Sequence, residues 1–497
     1  MKSKWNNQYR DAVLIALAFT FPIVLSGTPI GDDYVRLYNG SDFYSRLGAT
    51  WVFQILSSDK FLFNLFPLSQ ISGITIYAIT ISWITQKLSI TDRLSSNLII
   101  LLTLSFPFVF QNYLFQYDCL TMHIGLSIFS ITPFIFIPKL NNKIYLITCS
   151  IYKILLISLG LIFYQPALIS FIIFSIFIYL LSGEKNNVKI KILLWHISVL
   201  IIAYLIHYFA ILSIGDTTGH YTRNSHFHFI LIIDNIISNS GWYIELIKPY
   251  YKNIFIIFSH TIIIFFAFKT IYIMYAKNNN SLSNMFITIF SIPILMMITI
   301  IIVSIPNDNK IIAPTRILLS MSSAYVCIAL IAFKNTNSVK ILRLATILAI
   351  IPAITILCIT TNTASIQAKY ERMLITSMYD GLSKIELQDG QKIYFACDHH
   401  WFSPYTKKVI DKYPFVMDFI LTDHLRKWYF IKEYMGNYRI ENSQEFYYMD
   451  LSDEKIKNML QTSEKSTHKY HHYLYDIYEV KGDNNKNDIV VCVNPTK

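Results

Sequence analysis

Two adjacent carboxylates, Asp32 and Asp33, follow the first apolar segment of the chain, and Arg36 comes three residues after the second of them. Neighbouring carboxylates repel each other, so we expect one of the pair to have a raised pKa and to accept a proton near neutral pH. Arg36 would then neutralise the other carboxylate or bind a phosphate. The alternative is that the pair caps the start of a helix and Arg36 completes a local ion pair, and the spacing by itself favours this alternative.

The segment after the acidic pair predicts a helix that lies in the membrane surface. Apolar side chains recur every four residues at Phe43, Leu47, Trp51 and Ile55. One apolar stripe on an otherwise polar helix is typical of an interfacial helix. Such a helix would hold the acidic pair near the depth of a lipid headgroup.

The composition indicates a membrane protein. Hydrophobic residues make up 54% of the chain and charged residues 15%, and the mean hydropathy is +0.42. A soluble chain is less apolar than this. The net charge of +11 does not indicate nucleic acid, because the basic residues are scattered through short loops.

Eleven apolar runs approach the roughly 20 residues that a transmembrane helix needs. They lie near 11–28, 62–84, 95–113, 119–137, 144–163, 166–182, 193–213, 253–275, 286–305, 312–333 and 344–361. Basic residues concentrate in the N-terminal tail and in alternate loops, which predicts a cytoplasmic N-terminus and, after an odd number of crossings, an external C-terminal domain. We therefore predict a polytopic α-helical membrane domain over 1–361, with a first periplasmic loop at 29–61, and a soluble periplasmic domain over 362–497.

Two details of this topology depend on local signals. The apolar stretch 144–182 is predicted to cross the membrane twice, with a turn at Tyr164-Gln165-Pro166, because both of its flanks are basic. The first run resembles a signal peptide but lacks a clean cleavage site, so we expect an uncleaved anchor in the bacterial inner (cytoplasmic) membrane.

The C-terminal residues predict a small α/β or α+β domain of about 110 residues, which is enough for a core of its own. Helical patterns cover 365–383 and 414–434, and strand-like patterns cover 392–397, 473–480 and 489–493. Cys397 and Cys492 are the cysteines of this domain. A disulfide between them and two free thiols are both open interpretations.

Other ionisable residues are given structural interpretations. His220, His226 and His228 lie in a polar loop, and the pairs His399-His400 and His471-His472 lie in the C-terminal domain. Histidines in such segments are usually exposed, so we expect no metal site there. Lys153 lies inside an apolar run, where a charged residue is a functional candidate, and the preferred interpretation is that it extends its amine to the cytoplasmic interface.

Several motifs resemble one family of enzymes. Asp32 begins the pattern Asp-Asp-x-x-Arg-x-x-x-Gly, and Tyr44 begins Tyr-Ser-Arg-x-Gly. Tyr117-Asp118-Cys119-Leu120-Thr121-Met122 enters the fourth run, Tyr164-Gln165-Pro166 forms a turn, and Arg316 opens the tenth run. With a soluble C-terminal domain, this order is similar to the type II group of bacterial O-antigen glucosyltransferases of serotype conversion.

That resemblance implies a fold of the GT-C type and an enzyme that transfers a hexose, with glucose as the expected sugar, from a polyprenyl-phosphate carrier. Asp32 or Asp33 would be the catalytic base in an inverting displacement, and Arg36 and Arg316 would hold the phosphate. Asp118 would orient the sugar or the acceptor, or would only be a solvated residue at a helix start. The substrate-binding residues implied in this way are Arg36, Arg46, Asp118, Tyr164, Gln165 and Arg316; Tyr164 and Gln165 are equally explained as the end of one helix before Pro166 begins the next.

The implied acceptor is a lipid-linked O-antigen of lipopolysaccharide, or a similar surface polysaccharide, on the periplasmic face. The other expected partners are membrane lipid, a companion flippase and a polyprenyl-phosphate glucosyltransferase. No cofactor is expected, with a divalent metal ion left open.

Two other functions remain as alternatives. A transporter or flippase of lipid-linked oligosaccharides would need charges deep in several helices and often two similar halves, whereas apart from Lys153 the apolar runs are nearly free of charge and no repeat is evident. An O-antigen polymerase would more naturally carry a large outer loop than a large C-terminal domain.

Overall fold

The structure is a computed structural model that divides into two compact units. The first unit comprises Met1–Leu25 and Asp42–Cys358, and the second comprises Ser26–Ser41 and Ile359–Lys497. The segment with the acidic pair therefore belongs to the same unit as the C-terminal domain. The structure describes residues 2–30, 33, 36–37, 47–59, 63–90, 92–135, 142–182, 186–214, 232–275, 282–305, 315–334, 338–385, 387, 391–397, 402–420, 445–450, 467–481 and 487–493.

The first unit is built from α-helices, as its apolar runs predict. The helices are α1 (Lys2–Ser26), α2 (Leu47–Ser57), α3 (Leu68–Lys87), α4 (Arg93–Leu104), α5 (Phe110–Leu114), α6 (Cys119–Ile131), α7 (Lys143–Phe163), α8 (Leu168–Leu181), α9 (Asn186–Ile214), α10 (Ile232–Ile247), α11 (Ile254–Tyr275), α12 (Leu282–Val303), α13 (Ser320–Lys334) and α14 (Val339–Ser383). From Ile359 onward, α14 belongs to the second unit.

Seven helices in the described part of the chain are long and apolar enough to cross a membrane, and an eighth crossing results if a bent pair is counted as one span. The bent pair is Arg93–Leu104 with Pro107–Leu114, at an angle of 56°. Each of the eleven predicted runs contains helix, but three of them form shorter apolar helices: Cys119–Phe134, Gln165–Leu181 and Ile289–Val303. Helix length therefore supports a multi-pass membrane protein and does not establish eleven crossings.

The predicted turn within 144–182 is confirmed. Helix α7 ends at Phe163, a 3₁₀ turn covers Gln165–Ala167, and α8 begins at Leu168. Pro166 lies in the first turn of the 3₁₀ segment, where its missing N–H leaves no hydrogen bond unmade.

Ion pairs join three of the segments that the loop charges place on one side. Arg93 at the start of α4 pairs with Asp11 of α1, and its Nη2 lies 2.7 Å from Asp11 Oδ1. Nη2 of Arg343 in α14 lies 2.6 Å from Asp92 Oδ2. The N-terminal tail, the loop before α4 and the start of α14 thus lie at the same end of this unit.

The second unit contains a five-stranded mixed sheet of order β2-β1-β5-β4-β3. Its strands are β1 (Lys392–Cys397), β2 (Glu445–Asp450), β3 (Thr467–His472), β4 (Tyr475–Lys481) and β5 (Asn487–Val493). β1 pairs in parallel with β2 and β5, whereas β3, β4 and β5 are antiparallel neighbours. One face packs on α14 in a core that includes Leu374, Met378, Phe395, Ile477 and Val491.

The sequence patterns find the central strands and miss the edges. β1, β4 and β5 match the predicted strands. The edge strand β3 is largely polar, and the other edge strand, β2, has four consecutive aromatic or apolar residues between two acids, so neither shows an apolar alternation. The predicted helix at 414–434 is wrong at its start, where Pro414–Phe419 is a 3₁₀ segment, and 421–434 lies outside the described residues. A helix that the patterns miss, α15 (Pro404–Lys412), is capped by the Ser403 hydroxyl and has proline in its first turn.

Cys492 is a free thiol in the structure. The strand register places Ala396 opposite Cys492 and Val493 opposite Cys397. The two cysteines are therefore offset by one position on neighbouring strands, and the disulfide interpretation is not supported.

Candidate active site

Asp33 closes a turn at the start of the second unit. Its side chain is fully buried, and its Oδ2 accepts a hydrogen bond from the Ile30 N–H at 3.1 Å. The Asp33 N–H donates to the Ile30 carbonyl at 3.0 Å. One carboxylate oxygen of Asp33 thus has a local structural task in this turn. Asp32 lies outside the described residues.

The residues after Asp33 are anchored on α14. Arg36 is buried with only 6% of its surface exposed. Leu37 packs against the core cluster that contains Leu374, Ile375 and Met378 of α14. This apolar contact fixes the backbone next to Arg36 on a rigid helix, which is how a protein holds a charged side chain in one place.

A second buried carboxylate of this unit, Glu371, escapes the sequence patterns. Glu371 and Gln367 are both buried, and Gln367 Nε2 donates to Glu371 Oε1 at 2.8 Å. Gln367 Oε1 in turn accepts the Ser403 N–H at 3.0 Å. The four-residue spacing on α14 is a signal for this pair, but it does not reveal that the pair is buried.

Asp118 in the first unit is fully buried, with 0% of its surface exposed. It precedes α6 directly, yet its side chain makes no capping hydrogen bond to that helix. The interpretation of Asp118 as a solvated residue at a helix start is therefore wrong. A carboxylate that is removed from water needs partners within the protein, and such buried carboxylates occur in functional sites and in structural networks. Asp118 therefore stays a candidate site residue.

Helix α3 holds the turn that carries Asp118. Gln70 Nε2 donates to the Phe115 carbonyl at 3.0 Å, and the Leu120 N–H donates to Ser69 Oγ at 3.2 Å. One of these bonds lies before Asp118 in the sequence and the other lies after it. They fix its backbone to a membrane-length helix.

Gly73 allows α3 and α6 to pack closely against each other. A Cβ atom on Gly73 would lie 2.9 Å from the Cys119 carbonyl oxygen and 3.0 Å from Leu120 Cα. Both are backbone atoms of the first turn after Asp118. Any side chain at position 73 would therefore have to displace that turn.

Tyr164 and Gln165 lie where α7 meets α8. Tyr164 is buried, and a Cβ atom on Gly125 of α6 would lie 3.1 Å from its Cβ. The Tyr164 N–H completes the last turn of α7 by donating to the Gly160 carbonyl at 3.0 Å. These residues do end one helix and begin the next; sugar binding by them stays a prediction.

The backbone at Arg316 belongs to the 3₁₀ segment Thr315–Leu319. This segment contacts the 3₁₀ segment Gln165–Ala167 and α5. At its end, Ser320 Oγ donates to the Pro166 carbonyl at 3.3 Å. The side chain of Arg316 lies outside the described residues.

Helix α2 confirms a helix from Leu47 onward, its place in the membrane interface stays a prediction, and Phe43 and Arg46 lie outside the described residues. Trp51 and Ile55 are exposed, whereas Phe53 is buried and stacks on Tyr117, the neighbour of Asp118, at 5.8 Å between ring centroids. A Cβ atom on Gly48 would lie 3.1 Å from the Ile162 carbonyl oxygen at the end of α7. The first unit therefore brings Asp118, Tyr164 and Gln165 and the backbone at Arg316 toward one end, beside α2.

Lys153 does not reach the membrane interface, so that prediction is wrong. Its side chain is fully buried, and its Nζ lies 3.2 Å from the Pro133 carbonyl and 3.0 Å from His196 Nε2. The amine also lies 4.7 Å from the centre of the Trp195 ring. These partners compensate the amine within the bundle.

The membrane-length helices of the first unit are those of a multi-pass membrane protein. Its candidate site residues lie at helix ends in that unit, and Asp33 and Arg36 lie in the second unit. Residues 21–333 match the family described as Glucosyl transferase GtrII, and the chain belongs to that family. The match includes every predicted site residue, from Asp32 to Arg316.

A protein of Salmonella phage P22, described as an uncharacterized 55.3 kDa protein in the gtrB 5' region, is similar to part of this chain. The two are 28% identical over 192 residues, which cover 38% of each protein. The chain thus spans well under two thirds of that relative's length. No solved structure matches.

Proposed function

We propose that this protein is a membrane hexosyltransferase that moves glucose from a polyprenyl-phosphate carrier to a lipid-linked O-antigen or a similar surface polysaccharide. Membership of the glucosyl transferase family over residues 21–333 supports the reaction class. The single structural observation that carries the proposal is Asp118, a fully buried carboxylate that does not cap its helix. Burial of this kind is found where an acid acts on a substrate.

A lipid-linked donor suits the surroundings of Asp118. Helix α2 exposes Trp51, Ile55 and Leu56, while its Phe53 stacks on Tyr117 next to Asp118. This exposed apolar face supports placing α2 in the membrane interface, where such helices bind. The headgroup of a carrier lipid in the same interface would lie at the depth of Asp118, whereas a water-soluble nucleotide sugar would gain nothing from this placement.

The reaction follows from the chemistry of the donor. The acceptor hydroxyl oxygen attacks the anomeric carbon, the bond from that carbon to the phosphate oxygen breaks, and the configuration inverts. Asp32 or Asp33 takes the hydroxyl proton, and polyprenyl phosphate leaves. The leaving phosphate needs cationic stabilisation, which Arg36 and Arg316 would supply, with Arg46 as a further candidate.

Asp118 has a different task in this mechanism. As a second carboxylate it would accept hydrogen bonds from the sugar or acceptor hydroxyls and so hold the reacting atoms in line. Tyr164 and Gln165 would add further contacts to hydroxyls. We expect no cofactor for this step, because phosphate is a good leaving group once its charge is compensated, and a divalent metal ion is left open as a source of that charge.

The proposed location is the bacterial inner membrane, with eleven crossings, a cytoplasmic N-terminus and a periplasmic second unit. The distribution of basic residues supports this sidedness. The ion pairs of Arg93 and Arg343 support it further, because they join segments that the charge pattern places together. The acidic pair would then face the compartment in which O-antigen is modified.

The test compares carboxylate variants in isolated membranes. Membranes are incubated with polyprenyl-phosphate glucose and lipid-linked O-antigen, and glucosylated acceptor is measured for wild type, Asp32→Asn and Asp33→Asn at matched protein levels. Loss of the base is expected to slow transfer by about 10²–10⁴-fold in one of these variants. Asn at position 33 retains an oxygen that accepts the Ile30 N–H, so a loss there reflects charge and not the turn.

Asp59→Asn is the matched control, because Asp59 lies in the same loop region and is exposed. It should transfer at the wild-type rate. If Asp32→Asn and Asp33→Asn both transfer as fast as wild type, the acidic pair is not the base and the mechanism fails.

A further inference from the structure

Three side chains with metal-binding atoms come together on the hairpin of β3 and β4. They are His468, His471 and Asp476, and their ligand atoms all lie within 4.8 Å of one another. His471 Nδ1 lies 2.5 Å and His468 Nε2 lies 3.2 Å from the same oxygen, Asp476 Oδ1. The sequence expectation that the histidines here are simply exposed therefore misses a cluster.

An irregularity in β3 creates this arrangement. Residues three apart on a regular strand point to opposite faces, so His468 and His471 would be separated. The register of β3 against β4 shifts between His468 and Tyr470, which is a bulge with one extra residue. As a result His468 pairs with Tyr478 and His471 pairs with Asp476, and both histidines share the face of Asp476.

The cluster is open to solvent on one side and held on the other. The side chains of His468 and His471 are 46% and 71% exposed, whereas that of Asp476 is 18% exposed. The ring of His468 packs edge-on against Tyr478 at 5.2 Å. Asp476 Oδ1 thus lies beside two imidazoles that a metal ion can reach.

We propose that His468 Nε2, His471 Nδ1 and Asp476 bind one divalent transition-metal ion, with Zn²⁺ as the best fit. Two imidazole nitrogens and a carboxylate oxygen are donors that zinc prefers, at about 2.0–2.2 Å each. Tetrahedral donors at those distances lie about 3.3 Å apart. Small rotations of the exposed imidazoles bring the donor atoms to that separation.

Binding would have a structural consequence. Among the described strands, β3 is an edge strand of the sheet and pairs with β4 alone. A metal held by two residues of β3 and one of β4 ties the edge to the sheet and stabilises the folded unit. The fourth position on the metal faces solvent and takes water. This site is independent of the glycosyl-transfer proposal.

The experiment measures Zn²⁺ binding to the purified, chelator-treated full-length protein in detergent by isothermal titration calorimetry. Wild type is expected to bind one more Zn²⁺ ion per chain than the double variant His468→Ala/His471→Ala. Asp476→Asn, which retains a hydrogen-bonding side chain, should bind this ion at least about tenfold more weakly, because it removes an anionic ligand. Zn²⁺ should also raise the thermal unfolding midpoint of wild type and not that of the double variant.

His472→Gln is the matched control. His472 is the next residue of β3, but its ring stacks on Tyr475 at 4.7 Å, and its Nε2 lies 3.4 Å from Ser377 Oγ of α14. The control should bind Zn²⁺ as wild type does. Equal stoichiometry and affinity in wild type and the double variant would overturn the proposal, as would an equal loss of binding in His472→Gln.

Discussion

Replacement of Gly73 by alanine tests whether α3 positions the turn that carries Asp118. The added Cβ would lie 2.9 Å from the Cys119 carbonyl oxygen and 3.0 Å from Leu120 Cα. Backbone atoms cannot rotate away as a side chain can, so the first turn of α6 has to shift. The same shift strains the bonds from Gln70 to the Phe115 carbonyl and from Leu120 to Ser69.

The magnitude is the sum of two opposing effects. Overpacking by one methyl group costs about 1–3 kcal/mol. Alanine in place of glycine in a helix interior contributes about 0.5–1 kcal/mol in the other direction. Gly73→Ala should therefore be less stable than wild type by about 0–2.5 kcal/mol, and it should also lose transfer activity because Asp118 moves.

Gly241→Ala is the control that separates the steric clash of an added Cβ from the gain in helix stability when alanine replaces glycine. Gly241 lies within α10 (Ile232–Ile247), and nothing lies within 4 Å of a Cβ atom built on it. This control should be slightly more stable than wild type and fully active. The assay is the thermal unfolding midpoint in one detergent, with glucosyl transfer measured on the same preparations. A Gly73→Ala protein as stable and as active as Gly241→Ala would show that the close contact at Gly73 does not position the turn that carries Asp118.

Three further predictions concern charge, thiol reactivity and sidedness. Asp92 accepts the Ser95 N–H and pairs with Arg343, and these contacts outweigh burial and lower the pKa of Asp92. Asp92→Ala should therefore lower the free energy of unfolding by about 0.5–2 kcal/mol at pH 7. As the pH falls through the lowered pKa, the thermal unfolding midpoint of the variant should approach that of wild type, and a persistent difference would contradict the role given to the Asp92 charge. Burial and the Asp476 charge raise the pKa of Cys492 to about 12. Mass spectrometry should therefore find this thiol alkylated by maleimide at pH 8 only after the protein is unfolded. Alkylation of the folded protein as fast as that of the unfolded protein would contradict the burial of Cys492. A phosphatase reporter fused after Lys497 should be active, because that enzyme folds only outside the cytoplasm, and an inactive fusion at normal expression would show that the number of crossings is even.

The parts of the fold that the sequence predicts are those in which apolar periodicity is decisive. β1 matches its prediction because its residues Ile393, Phe395 and Ala396 are buried, whereas the edge strand β3, with three histidines in six residues, has no pattern to recognise. Each apolar run is helical, but composition does not reveal that Pro133 falls in a 3₁₀ turn and shortens the helix that begins after Asp118.

The candidate site is less accessible to sequence reasoning, because burial of a polar group depends on contacts between distant segments. The Asp118 environment is made by Ser69, Gln70 and Gly73, about 50 residues earlier in the chain. Lys153 is compensated by His196 and Pro133, and no local pattern relates these three positions. The acidic pair was recognisable only as a short motif, and the turn formed by Asp33 with Ile30 became visible in the structure.

The most direct test of the central claim is a comparison of donors with the purified full-length protein in lipid nanodiscs. Lipid-linked O-antigen is supplied with either polyprenyl-phosphate glucose or UDP-glucose, each carrying radiolabelled sugar, and label in the acceptor is counted. We predict transfer from polyprenyl-phosphate glucose, with inversion at the anomeric carbon, and none from UDP-glucose. Transfer from UDP-glucose alone, or from neither donor by a folded preparation, would contradict the proposed function.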